Sequence, residues 1–161
     1  MSPTYYTIID SPLGPLCLTA TEQGLTQVDF EQGERPVVHD PSWQADTGWL
    51  TNAVQQLQEY FQGTRQHFTL PLAPAGTPFQ HQVWQELQRI PFGTTISYRE
   101  LAQRLGKANG ARAVGHANGR NPISIIIPCH RVVGADGHLR GYAGGLPIKQ
   151  HLLQHEGAWL V

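Results

Sequence analysis

The chain has 161 residues, 40% of them hydrophobic, with four tryptophans and a formal net charge of −1, enough to bury a core as one domain or two small ones. No stretch approaches the roughly 20 apolar residues of a membrane span. Met1-Ser2-Pro3-Thr4 lacks the basic start and apolar core of a signal peptide, so no membrane partner and a cytoplasmic location are expected.

The small net charge hides an asymmetry: residues 1–96 carry three Lys/Arg against nine Asp/Glu, or −6, and residues 97–161 carry eight against three, or +5. A polyanion bound at the second half accounts for this, because phosphate neutralisation supplies most sequence-independent affinity for nucleic acid. An uneven solvated surface accounts for it equally. Cys17 and Cys129, the two cysteines, form no disulfide framework, and a reducing compartment keeps them as thiols.

Tyr5-Tyr6-Thr7-Ile8-Ile9, Leu16-Cys17-Leu18-Thr19-Ala20 and Leu25-Thr26-Gln27-Val28-Asp29-Phe30 are short β-rich runs separated by turn residues, which predicts a three-stranded meander. Leu50, Val54, Leu57 and Phe61 recur at helical spacing within 49–61, and Gly63 closes that helix. Pro71 to Pro78, rich in Pro and Ala, reads as a linker. Domains are therefore expected at 1–76, linker included, and 77–161.

Thr77-Pro78 starts a helix whose apolar face is Phe79, Val83, Trp84, Leu87 and Ile90, and Pro91-Phe92-Gly93 ends it. Ser97 with Glu100 reads as a capping box for a second helix carrying Leu101 and Leu105, ended by Gly106. The run from Gly110 to Gly119 forms a third. Two short helices on a tight Gly-containing turn have the form of a helix-turn-helix, and equally of an ordinary αα-hairpin. The last helix offers Ala111, Ala113 and Gly115 rather than long base-reading side chains, with Arg112 the one long cation. Such a face permits close approach to a sugar-phosphate backbone or minor groove; it also suits tight packing against another element.

Ile125-Ile126-Ile127 reads as a buried strand that stops at Pro128 and delivers Cys129, with His130 and Arg131 beside it. Thiolate is the nucleophile, so a neighbouring base and cation decide whether a cysteine reacts; a lone cysteine after an apolar run is otherwise a small core residue. No dinucleotide fingerprint or phosphate loop is present. His151 and His155, at i and i+4, lack a third ligand at fixed spacing, so no metal is expected.

The block Ile127-Pro128-Cys129-His130-Arg131-Val132, preceded by Asn118-Gly119-Arg120-Asn121-Pro122 and followed by Gly141-Tyr142-Ala143-Gly144-Gly145-Leu146, closely resembles the O6-alkylguanine-DNA alkyltransferases, the methylated-DNA–protein-cysteine methyltransferases. The resemblance spans about Thr77 to Glu156, and Asp10-Ser11-Pro12-Leu13-Gly14-Pro15-Leu16 is similar to the bacterial form. It implies an α+β fold: a small ribonuclease-H-like N-terminal domain with an antiparallel sheet and helix, then a mostly helical domain with a winged helix-turn-helix.

It further implies irreversible, single-turnover transfer of the alkyl group from O6 of guanine in duplex DNA to Cys129, without a cofactor, by a DNA-binding monomer. O4-alkylthymine as a second substrate and cooperative binding along DNA stay open. By the same resemblance His130 activates Cys129 through a water and Glu156 orients His130. Asn121 is the hinge residue; Tyr98 helps rotate the nucleotide and donates to guanine N3; Arg112 fills the gap left by the flipped base. Cys129, Val132, Tyr142, Ala143 and Gly144 form the base pocket, with Ala143 and Ser124 departing from the serine and proline of some relatives. The competing readings are an alkyltransferase-like protein, which would lack the reactive cysteine, a winged helix-turn-helix regulator, and a cysteine hydrolase, which would regain its free thiol after each cycle.

Overall fold

The structure is a computed structural model, described for residues 3–33, 36–137, 139–142 and 144–158. The chain divides into two compact units, residues 1–75 and 76–161. Among the described residues no helix is long and apolar enough to cross a membrane.

In the first unit β1 (Tyr5–Ile9), β2 (Leu16–Thr21) and β3 (Gly24–Phe30) form the antiparallel meander, with Leu18 opposite both Thr7 and Val28. Strand β2 is central and buried from Leu16 through Ala20, so both its faces pack. A two-residue strand β4 (Gln44–Ala45) adds parallel to β1, giving the order β3-β2-β1-β4. Its two exposed residues leave no periodic trace in the sequence.

Helix α1 (Thr51–Gln62) buries Ala53, Gln56, Leu57 and Tyr60 and ends at Gly63, whose φ of 84° lets its N–H reach back to Glu59 and Tyr60. The expected linker begins later than the prolines imply. Leu25 N–H donates to Pro71 O at 2.9 Å and Ala73 N–H donates to Leu25 O at 2.7 Å, so the Pro71-Leu72-Ala73 segment joins the sheet edge. Gly24 sits under it at φ 145°, where a Cβ would lie 2.6 Å from Pro71 O.

In the second unit α2 (Pro78–Leu87) starts in a full capping box: Gln80 N–H donates to Thr77 Oγ1 and Thr77 N–H to Gln80 Oε1. After β5 (Ile96–Ser97), α3 (Tyr98–Arg104) has half a box: Ser97 Oγ accepts from Glu100 N–H, while the Glu100 carboxylate turns to Arg104 at 2.7 Å. Helix α4 (Ala111–Gly119) packs on α2 and α3. The buried Trp84 indole N–H donates to Ala117 O at 2.9 Å and ties α4 to α2. A 3₁₀ turn at Cys129–Arg131 leads into β6 (Val132–Val133), parallel to β5, and α5 (Leu146–His155) closes the unit.

Candidate active site

The expected strand at Ile125-Ile126-Ile127 is a buried turn. Ile127 N–H donates to Ile123 O at 3.0 Å, Ile126 N–H to Ser124 O at 2.8 Å and Cys129 N–H to Ile127 O at 2.8 Å. Ile125 has φ +73°, a left-handed conformation that a β-branched side chain adopts at a cost of about 1–3 kcal/mol. Burial of Ile123, Ile125, Ile126 and Ile127 opposes that cost, and Asn121 enforces it. Asn121 Nδ2 donates to Ile127 O at 2.7 Å and its Oδ1 accepts from Ile123 N–H at 3.0 Å. Asn118 of α4 reaches Cys129 O at 3.4 Å. A strand and a buried turn demand the same apolar side chains; what separates them is how Asn121 uses its amide.

The turn places Cys129 at the head of the 3₁₀ turn, 6% exposed. His130 follows with no exposed surface. Its Nε2 lies 2.8 Å from Glu156 Oε2 at the C-cap of α5. Arg131 grips the same carboxylate with a two-pronged fork, Nε to Oε1 at 2.8 Å and Nη2 to Oε2 at 3.0 Å, and its Nη1 donates to Ile90 O at 2.7 Å. Burial opposes ionisation of Glu156, but the bonds and charges of His130 and Arg131 outweigh it and hold the carboxyl well below the ordinary range.

Burial, first, pushes the His130 imidazole down; the Glu156 carboxylate pulls it up and the Arg131 and Lys149 cations push it down further, the net direction being down. An ionised Glu156 already matched by the Arg131 fork leaves His130 neutral. Because a carboxylate can only accept, Nε2 carries the imidazole proton and Nδ1 presents its lone pair. Nδ1 is buried and has no hydrogen-bond partner among the described residues. The cluster is thus a thiol preceding a neutral, oriented base.

Lys149 is the residue that sequence reading missed. It is fully buried on α5, donates through Nζ to Val132 O at 2.7 Å and Arg140 O at 3.1 Å, and lies 5.9 Å from the Tyr98 ring centre. Burial lowers its pKa to about 8, against the opposing pull of the Cys129 charge. Its signal was legible: Lys149, Leu152, Leu153 and Glu156 stand at i, i+3, i+4 and i+7, one inward stripe of a helix. Arg131 was noticed only as a cation beside the thiol.

Tyr98, half-buried at the start of α3, and Tyr142, buried, both have raised hydroxyl pKa values, through burial first and the Cys129 charge second. Val132 and Gly144 are buried, and Ala143 lies outside the described residues. On α4, Arg112 and Ala113 are exposed and Ala111 is half-buried. Gly115 lies against Tyr98, where a Cβ would meet the ring at 3.5 Å. One helix therefore shows Arg112 to solvent and, six residues on, holds the backbone of Cys129 through Asn118.

A buried thiol, a neutral imidazole and a carboxylate mounted behind paired helices define a cysteine-nucleophile protein on a helix-turn-helix scaffold. Residues 78–158 match the 6-O-methylguanine DNA methyltransferase, DNA binding domain, and residues 4–74 match the ribonuclease-like domain of the same family. The chain belongs to the 6-O-methylguanine DNA methyltransferase family. It is 49% identical over 152 residues to the methylated-DNA--protein-cysteine methyltransferase of Methanosarcina barkeri, covering 94% of this chain and 96% of that one. Identity to the protein of the same name from Mycobacterium tuberculosis is 46% over 155 residues, covering 94% and 92%. The crystal structure of Mycobacterium tuberculosis OGT in complex with DNA superposes with a TM-score of 0.88 at 45% identity, covering 96% of this chain and 93% of that chain.

Proposed function

We propose that the chain repairs DNA by moving the alkyl group from O6 of guanine in a duplex onto its own Cys129 sulfur. The observation that carries this reading is the buried Cys129, His130 and Glu156 arrangement, in which His130 Nδ1 alone of the imidazole nitrogens is left to accept a proton. The thiol proton passes to Nδ1, by way of a water between them, and the imidazolium formed is stabilised by Glu156. Sulfur attacks the alkyl carbon as the bond to O6 breaks, and the Tyr98 hydroxyl donates a hydrogen bond to guanine N3, which stabilises the departing guanine anion. The thioether has no leaving group to expel, so each molecule acts once.

O6 of a stacked guanine is out of reach, so the nucleotide turns out of the helix at a cost of a few kcal/mol. The exposed Arg112, with Ala111, Ala113 and Gly115 beside it, gives α4 a low surface from which one cation enters the stack. An open groove of about 700 Å³ bounded by Phe79, Arg112, Ala113 and His116 continues this face. Val132, Tyr142 and Gly144 wall the base pocket. Asn121 holds the turn in register with α4. We assign residues 77–161 the chemistry and DNA contact, and, with neither Cys17 nor Cys129 in a disulfide, the chain a cytoplasmic, reducing location.

The test is incubation with a duplex carrying one O6-methylguanine, followed by mass spectrometry of the Cys129 peptide. One methyl group per protein and loss of the lesion are expected; an unmodified peptide with the lesion intact overturns the reading. Arg112→Ala is expected to slow transfer from duplex far more than from free O6-benzylguanine, and equal slowing of both removes its flipping role.

A further inference from the structure

The first unit holds a side-chain cluster that alkyl transfer does not use. Cys17 on β2, Glu31 just beyond β3 and His39 in the segment leading to β4 bring one sulfur, one carboxylate oxygen and one imidazole nitrogen within 4.8 Å of one another. We propose that Cys17, Glu31 and His39 form a binding site for a borderline-soft divalent cation of the Zn²⁺ class.

The donor set suits such an ion: thiolate at about 2.3 Å, imidazole and carboxylate at about 2.0–2.2 Å, which puts tetrahedral donors roughly 3.5 Å apart. Glu31 and His39 are already closer than that, at 2.8 and 3.0 Å from Nε2 to the two carboxylate oxygens. Glu31 Oε1 is buried and, beyond the His39 Nε2 contact at 2.8 Å, has no hydrogen-bond partner among the described residues, so this oxygen keeps a lone pair for an ion. The His39 side chain is 42% exposed and Glu31 19%, which leaves an entry path and room for the shift that closes the shell on the buried sulfur. Tyr6 and Trp43 flank the His39 ring, at 6.3 and 5.9 Å between centres, and limit its rotation.

Charge points the same way. Asp29 stands directly opposite Cys17 in the β2–β3 register and shares its neighbourhood with Glu31. A divalent ion bound there takes the place of the thiol proton on sulfur, and the proton leaves to solvent. Bound metal would tie Glu31 and His39 to Cys17 of the sheet, independently of Cys129.

The test uses the full chain with Cys129→Ser, which leaves Cys17 as the only thiol. Zn²⁺ is titrated in competition with a chromophoric chelator, and Co²⁺ is added to look for a thiolate-to-cobalt charge-transfer band. One equivalent of Zn²⁺ and a sulfur band are expected, with the band lost in Cys17→Ser. Because Cys17 is fully buried and its variant can unfold, His39→Ala, at an exposed position, is the second probe. It is expected to weaken Zn²⁺ binding at least about 10-fold, as loss of a ligand does. Cobalt bound without a sulfur band, or an unchanged affinity in His39→Ala, as binding at the His151 and His155 pair would give, overturns the proposal.

Discussion

Replacing Arg131 by Met keeps the side chain's apolar length and removes the fork that neutralises Glu156. Three donor contacts are lost, at 2.8, 3.0 and 2.7 Å, to Glu156 and Ile90. The Glu156 carboxylate, with no exposed side-chain surface, loses its guanidinium and keeps His130. Breaking a buried ion pair from one side costs about 3–5 kcal/mol, a large share of the roughly 5–15 kcal/mol that holds a domain together. The chemical consequence follows from the signs. Arg131 is one of the influences that keep the imidazole below its ordinary pKa, so without it His130 binds a proton at higher pH, and Nδ1 loses the lone pair that receives the thiol proton. The acid limb of the transfer rate moves up in pH. Urea unfolding read by tryptophan fluorescence, ¹⁵N shifts of the His130 ring against pH, and transfer rate against pH measure the three parts. Arg131→Lys, which keeps a charge and loses the fork, is expected to fall between parent and Met. A stability loss below about 1 kcal/mol together with an unmoved acid limb refutes the argument.

Lys149→Met tests the buried cation. A lysine held at about 8 when folded and at its ordinary 10.5 when unfolded makes the unfolded chain bind more protons in that window, so stability rises with pH there, by about 3 kcal/mol in total. The parent-minus-variant difference in unfolding free energy should climb between those two values, and parallel curves contradict it. Gly115→Ala adds a Cβ at ordinary contact distance from Tyr98. The helix should gain about 0.5–1 kcal/mol, while duplex binding weakens several-fold because the low face is raised; unchanged affinity removes α4 from the DNA surface. Asn121→Ala releases the Ile125 turn, at about 1–3 kcal/mol for the unpaired backbone groups. Cys129 should then react faster with a small alkylating reagent such as iodoacetamide, and an unchanged rate shows that the turn holds without the amide.

The meander, helix α1 with its Gly63 stop, the Thr77 start of α2 and the α3–α4 pair were legible because each rests on local chemistry: turn residues, periodicity and caps. Strand β4 was not, since two exposed residues pair only because β1 lies beside them. Pro71 was read as a breaker, yet its carbonyl still accepts, and that suffices to join an edge. At the site, Cys129, His130, Asn121, Tyr98 and Arg112 stood out by type, neighbours or family pattern. Glu156 by itself reads as a solvated helix end, and Arg131 as a cation of no stated role.

What the sequence by itself determined is the set of local elements, the asymmetry of charge and the identity of the thiol with its adjacent base, because these depend on residues within a few positions of one another. Only the tertiary structure decided that Ile125 turns instead of extending, that His130 Nε2 meets the Glu156 carboxylate, and that Cys17, Glu31 and His39 meet. Each of these depends on an amide, a carboxylate or an imidazole brought from another part of the chain, and hydrogen bonds and charges act over a few ångströms of space whatever their separation in sequence.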